Sequence, residues 1–375
     1  MYAMTLPKVS DILGIINKIA PFGYAEGWDN VGLQVGDPGW PADKIMTALD
    51  PGPDTVAAAL ASNCRLLVTH HPLIFNPLKK ITPADPIGRV ITEAVKHDLA
   101  IIASHTNYDV ADGGINDLLA ERLGLTGCTP LKPTGSDELV KLVVFVPKGH
   151  DGKVLDGLLR YSGFIGNYSD CSFSGEGIGT FKPLAGAHPF MGRIGKREHA
   201  EEVRIEVLLR RLEVSQAVAA MIKAHPYEEP AFDLYPLLNQ GKGRGLGRIG
   251  KLGEAASLEV FAALVKERLS LHGLRYVGEP DRMIKNVALC GGSGMSLLRE
   301  ASFRGADVLV TADVKYHEAR EAESLGVALI DAGHFGTERV MVQSLAEILM
   351  KETANRKLIA EVVPFLGERE PFSFM

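Results

Sequence analysis

The sequence predicts an α/β protein in which two similar layered halves form one domain and a separate α+β unit is inserted between them. Two observations predict it. Strand and helix patterns alternate through the first and last thirds of the 375 residues, the signature of right-handed βαβ units around a mostly parallel sheet. The middle third breaks that alternation after LKPTGSDE (131–138) with several strand patterns in succession.

In the first third, KIMTALD (44–50) reads as a strand, DTVAAALAS (54–62) as a helix and CRLLVTHH (64–71) as a strand. PIGRVITEAVKH (86–97) follows as a helix, LAIIASH (99–105) as a strand, and GGINDLLAERLG (113–124) as a helix closed by glycine. The last third repeats the plan. NVALCGGSG (286–294) is a strand running into a glycine-rich turn, SLLREASFRG (296–305) a helix and ADVLVTAD (306–313) a strand. HEAREAESLG (317–326) is a helix, VALIDAGH (327–334) a strand and TERVMVQSLAEILMKE (337–352) a helix.

The middle opens with the strand LVKLVVFVP (139–147), a helix around 151–161 and short strands near 168–174 and 177–183. A strand at 203–211, a helix at 214–225 and a strand at 231–237 complete it. That order reads as a ferredoxin-like unit with an extra hairpin. GKGRGLGRIG (241–250) leads back, so the expected division is 1–135 plus 240–375 for the outer domain and 136–239 for the insert.

The composition is that of an ordinary soluble globular protein, 46% hydrophobic and 23% charged. Forty Lys and Arg against 46 Asp and Glu give a net charge of −6. Without a Lys/Arg block, this argues against a nucleic-acid partner. The N-terminal stretch has no cationic start followed by a long apolar core, and no apolar run reaches the roughly 18 residues of a membrane span. Cys64, Cys128, Cys171 and Cys290 form no C-x-x-C pair. Cys64, Cys171 and Cys290 lie in or beside apolar runs, as buried free thiols do. A reducing, cytoplasmic setting is the expectation.

VTHHPLIF (68–75) places two histidines at the end of an apolar run. In an extended segment neighbouring side chains point to opposite faces, so the pair either splits between faces or lies just past the strand. Two further strands end in the same way. His105 is followed four residues later by Asp109, and His334 by Glu338. In open parallel sheets ligands bind outside the carboxyl ends of the strands, so His70, His71, His105, Asp109, His334 and Glu338 can converge. Each histidine alone could be structural. Together, four imidazoles and two carboxylates suit two divalent ions, and a single zinc site is the intermediate reading.

A fourth strand delivers Asp313 and His317, as groups that orient ligands or relay a proton, or as surface residues. EGWDNVGLQVGD offers Glu26, Asp29 and Asn30 in a loop, where Asp29 caps a helix or faces the crevice. CGGSGMS (290–296) can hold a phosphate or carboxylate on its N–H groups, or be only a tight turn. HPYEEPAFD (225–233), flanked by prolines, reads as a rigid turn before an edge strand.

In order, GWDNVGLQVG, VTHHPLIF, SHTNYDVADGGINDLLAERLGL, GLGRIG, CGGSG, TADVKYHEA and DAGHFGTE resemble the motifs of the NIF-three-like dinuclear metal-centre proteins, also called GTP cyclohydrolase I type 2 homologues. The middle resembles the PII- or CutA-like insert of the longer members. The resemblance implies metal ligands at His70, His71, His105, Asp109, His334 and Glu338, and a ring-shaped homohexamer with its sites facing an internal cavity. Ala312 stands where the family commonly has glycine.

Two functions follow as expectations. One is a metal-dependent hydrolase, opening a purine ring or cleaving a phosphoester with metal-activated water. His317 or Asp313 would then relay a proton and the CGGSG turn would hold a small-molecule substrate, a nucleotide or another phosphate compound. The other is a non-enzymatic scaffold that stores, delivers or senses metal, with the insert as a regulatory or interaction module. The ligand set suits zinc, iron or another first-row metal.

Overall fold

The computed structural model describes residues 5–161 and 164–373; the first four residues of the N-terminal stretch lie outside them. The chain divides into two compact units, Met1–Thr134 with Arg244–Met375, and Gly135–Gly243. The fold is mixed α/β with two sheets.

In the first unit, one sheet has the strand order Gly32–Val35, Ala100–Ala103, Leu66–Thr69, Lys44–Ala48, Glu361–Pro364. Its first strand is antiparallel to its neighbour and the others are parallel. Lys44–Ala48, Leu66–Thr69 and Ala100–Ala103 are almost wholly buried, which is why they read as continuous apolar runs. The second set of strands pairs the end of Phe232–Ser257 antiparallel to Met283–Leu289. Val308–Thr311 and Ala328–Asp331 follow in parallel, and Arg275–Val277 closes the edge antiparallel.

Helices cover these sheets with periodic apolar faces. Val9–Ile19 buries Val9, Ile12, Ile15 and Ile16 at helical spacing. They pack in one cluster with Val68 and Ile102 of the first sheet and Leu345 and Leu349 of Val340–Asn355.

Several elements differ from the expectation, for identifiable reasons. Helices Val9–Ile19 and Leu258–Arg268 and the strands Gly32–Val35, Arg275–Val277 and Glu361–Pro364 were not expected. The strands have at most four residues and owe their state to a neighbour rather than to local pattern. The helix expected at 337–352 is two, His334–Glu338 and Val340–Asn355. The strand before it stops at Asp331, so His334 and Glu338 share one short helix. The helix expected at 296–305 is a 3₁₀ turn, Met295–Leu297, followed by Leu298–Phe303.

In the second unit the order is strand, helix Asp151–Leu159, strands Ser172–Phe181 and Glu198–Arg210, helix Val214–Ala224, strand. One strand replaces the expected pair at 168–174 and 177–183. Leu139–Pro147 pairs antiparallel with Glu202–Arg210, whose other edge takes Ser172–Phe181. Leu142, Val144, Ile205, Val207, Val154 and Met221 form its core.

LKPTGSDE and GKGRGLGRIG are not loops. They lie within the long strands Thr126–Pro147 and Phe232–Ser257. Their glycines mark close backbone approach: a Cβ on Gly245 would lie 2.1 Å from the Lys132 carbonyl oxygen, and one on Gly241 2.7 Å from that of Asp137. All four cysteines are free. Cys64 and Cys290 are buried, but Cys171 is only partly so, against expectation.

Candidate metal centre

Within the first unit, the carboxyl ends of strands from both sheets deliver polar side chains to one place. Leu66–Thr69 leads into His70 and His71, and Ala100–Ala103 into His105 and the short helix Thr106–Val110 that carries Asp109. From the second sheet, Ala328–Asp331 leads into His334 and Glu338. Ligand atoms of His70, His71 and His105 lie within 4.8 Å of one another, as do those of His71, His334 and Glu338. Ring centroids stand 5.0 Å apart for His70–His105, 5.1 Å for His70–His71 and 5.3 Å for His71–His334.

Each imidazole is held at Nδ1. The Nδ1 of His71 meets Asp50 at 2.7 Å, that of His105 meets Asp29 at 2.9 Å, and that of His334 meets Asp313 at 2.8 Å. His70 uses its Nδ1 on the Ser104 carbonyl at 3.0 Å. Because these partners only accept, each Nδ1 is the donor and Nε2 is turned inward. The Glu338 carboxylate, 3% exposed, receives two of them, His71 Nε2 at 2.9 Å and His334 Nε2 at 3.1 Å, while His70 Nε2 stops short of it at 3.6 Å. Asp109 Oδ1 is 3.8 Å from His70 Nε2. Both of those last atoms are buried without a hydrogen-bond partner, a costly state for polar atoms that a cation between them would relieve. The donor set therefore fits divalent first-row metals.

Electrostatics follow from this packing. Burial would raise the Glu338 carboxyl, but the three rings hold it well below the usual range. Burial, then the Glu338 charge, pushes Asp109 well up, and burial lowers His70. Burial works against the charge on His71, but Asp50 and Glu338 lift it to about 10. The hydrogen bond to Glu338 lifts His334 to about 9, against burial.

Of the two alternatives expected for Asp29, the structure places it at a helix start, behind His105 and not in the crevice. It accepts from the Thr106 backbone N–H at 3.0 Å, at the start of the short helix, and holds His105. Asp313 orients His334. His317 lies exposed on helix Tyr316–Leu325, with its ring against Tyr316 at 5.3 Å; no contact places it in the cluster.

The CGGSG turn binds inward instead of presenting N–H groups. Gly291 donates to Asn116, Gly292 to Thr337 and Gly294 to Thr311. Its role is steric. Gly292 has φ +58°, and a Cβ there would lie 2.2 Å from Glu338 Oε1. Asp50 was missed, although KIMTALD ends on it just as the other strands end on their ligands. At the rim, exposed Trp28 packs 6.1 Å from the His105 ring.

Residues 7–371 match the model of the Duf34/NIF3 (NGG1p interacting factor 3) family. A "GTP cyclohydrolase 1 type 2 homolog" of Halalkalibacterium halodurans is 42% identical over 373 residues, 99% of this chain and 100% of that protein. One of Bacillus subtilis is 41% identical over 365 residues, 97% and 98% of the two chains. The crystal structure of a Bacillus cereus protein related to NIF3 superposes with TM-score 0.90 at 41% identity, covering 99% of this chain and 100% of the other.

Proposed function

The chain belongs to the Duf34/NIF3 family, and from that premise we propose that it binds two divalent metal ions and uses them in a hydrolytic reaction on a small molecule. One observation supports this most. Four imidazoles are fixed at Nδ1, two of them meet one buried carboxylate through Nε2, and His70 Nε2 and Asp109 Oδ1 stand unpaired beside it.

His70, His105 and Asp109 would hold one ion, His71 and His334 the other, and Glu338 would lie between them. Bound ions supply Lewis acidity and lower the pKa of water to near neutrality. The chain's own part is orientation: Asp50, Asp29 and Asp313 fix ring direction and raise ligand basicity. A cavity of about 610 Å³ is walled by Gly333, Phe335 and Gly336, neighbours of the ligand residues on the short helix His334–Glu338, and is also lined by His272, Arg339 and Arg369. Its two glutamates, Glu368 and Glu370, are engaged with backbone N–H groups. A phosphate-bearing substrate, such as a nucleotide, suits that cavity.

We propose further that 136–239 is a ferredoxin-like, PII- or CutA-like insert on two pseudo-duplicated halves, and that the protein works as a cytoplasmic homohexamer. The strand and helix order of the second unit supports the insert. No helix among the described residues is long and apolar enough to cross a membrane. The second reading, a metal-storing or sensing scaffold, is favoured by the depth of the centre, where His70 is fully buried.

The test is elemental analysis of metal-replete protein, followed by a screen of nucleotides and phosphoesters. Two ions per chain with turnover abolished by Glu338→Ala supports the hydrolase. Two ions without turnover of any member supports the scaffold. One ion at saturation removes the dinuclear centre.

A further inference from the structure

The turn HPYEEP, which sequence reading treats as structural, walls a cavity within the second unit. The cavity measures about 370 Å³, near the lower end of the range for small-molecule sites. Phe181, Phe190 and Met191 line it with Tyr227. The Tyr227 ring centroid lies 5.9 Å from that of Phe181 and 6.2 Å from that of Phe190.

The turn is built to hold Tyr227 still. Buried His225 donates from Nε2 to the Phe145 carbonyl at 3.0 Å, and its Nδ1 accepts the Tyr227 backbone N–H at 3.0 Å. The phenol then donates to Glu202 Oε1 at 3.1 Å. Burial, together with the Glu202 charge, raises that phenol to about 12.

Charge decides what the cavity prefers. Three carboxylates line it, Glu202, Glu228 and Glu229, against one lysine, Lys182. Glu228 accepts the His188 backbone N–H at 2.8 Å, tying down the covering loop. Glu202 is half-buried and has no cationic side chain within ion-pair distance among the described residues. A half-buried carboxylate beside aromatic faces gains most from a cation that is itself weakly hydrated. A phosphate would meet net negative charge.

We propose that this cavity binds a small organic cation, an amine, quaternary ammonium or guanidinium with a compact apolar body. The charged head lies against Glu202 and the face of Tyr227, and the body lies on Phe181, Phe190 and Met191. Its volume suits a ligand well below the size of a nucleoside triphosphate. The site lies within the second unit and uses none of the metal-centre side chains.

The probe is benzyltrimethylammonium, titrated into the full-length protein by calorimetry and saturation-transfer NMR, with benzyl alcohol and benzoate as neutral and anionic controls. The expected result is saturable binding of the cation, with both controls at least tenfold weaker. Glu202→Gln keeps the acceptor for Tyr227 and should weaken the cation at least tenfold while leaving metal content and melting temperature unchanged. Phe190→Ala, at a half-exposed position, should weaken it as well. Absence of saturable binding up to about 10 mM overturns the proposal. So does equal binding of benzoate, tighter binding of ATP than of the cation, or full affinity in Glu202→Gln.

Discussion

Replacing Asp29 tests whether the carboxylates outside the cluster tune it. Asp29 Oδ1 takes the His105 Nδ1 proton at 2.9 Å, and Oδ2 takes both the Thr106 N–H and its hydroxyl. Asp29→Asn keeps the shape but removes the charge that makes His105 Nε2 a stronger donor. Losses of roughly 10- to 100-fold in metal affinity are usual for such partners. The loss should fall on the ion held by His105, leaving the other unchanged, so competition against a chromophoric chelator with Zn(II) should resolve one weakened and one normal step. Asp29→Ala should be worse, because it removes both acceptors, whereas the single amide oxygen of Asn can still accept from either His105 or Thr106.

A stability effect accompanies this in metal-stripped protein. Burial would raise the Asp29 carboxyl, but His105 and Thr106 hold it down to about 2, from 3.8. The drop from 3.8 to about 2 corresponds to at most about 2.5 kcal/mol; the side chain is covered but its loop is only half-buried, and solvent screening cuts this to about 1 kcal/mol. The sign follows from a lowered carboxyl. The contribution is complete above pH ~4 and fades as pH falls toward 2, so the two denaturation curves should converge there. Unchanged affinity for both ions in Asp29→Asn and Asp29→Ala would refute the reasoning.

Glu338→Ala should lose both ions by elemental analysis; retention of one would reassign the bridging role. His70→Ala and His71→Ala should each lose about one ion. His70 is 0% exposed and tied to Ser104, so in stripped protein His70→Ala should cost about 1–3 kcal/mol. His71→Ala should cost at least as much near neutral pH, because it removes one of the two charged rings that face buried Glu338, and a His71→Ala midpoint equal to that of the stripped parent would contradict that charge argument. Gly292→Ala combines a left-handed φ with a methyl 2.2 Å from Glu338, so it should displace the carboxylate and abolish high-affinity binding in calorimetry; wild-type affinity would show that the turn yields. A chain joining Pro133 to Gly245 by a short linker should fold and keep its metal, and an insoluble, metal-free product would make the second unit part of the core.

The sequence made the parallel strands legible because burial on both faces writes long apolar runs, and the ligand-type residues stood out as polar interruptions at their ends. The same logic applied to KIMTALD would have found Asp50. It was overlooked because an aspartate after a strand is also an ordinary turn residue. The pairing of His334 with Glu338 was visible as a spacing of four, yet the one-turn helix that carries both was not. It abuts a longer helix at Arg339, and no proline or glycine separates them. CGGSG was left undecided for a different reason. Glycine-rich turns can open backbone donors or make room, and only the positions of Asn116, Thr337 and Thr311 decide between these. The polar stretches around 131–138 and 241–250 looked like linkers because a ladder between two chain segments far apart in sequence leaves no local periodicity.

The cluster is also instructive as an electrostatic object. A carboxylate as buried as Glu338 needs compensating charge. Without metal, that charge resides on His71 and His334, whose rings donate to carboxylates from both nitrogens. Asp109, pushed up by burial and by Glu338, avoids adding a second buried negative charge. Cations between these groups would take the place of protons, since ligation needs deprotonated Nε2 atoms and carboxylates. The same side chains can then stay packed whether metal is bound or not, because one kind of positive charge replaces another. His70 and His71 come from one sheet and His334 and Glu338 from the other. Whatever cation occupies the centre, proton or metal, therefore joins the two halves of the unit, so removal of the Glu338 carboxylate should be felt as loosening between the sheets and not only as loss of chemistry.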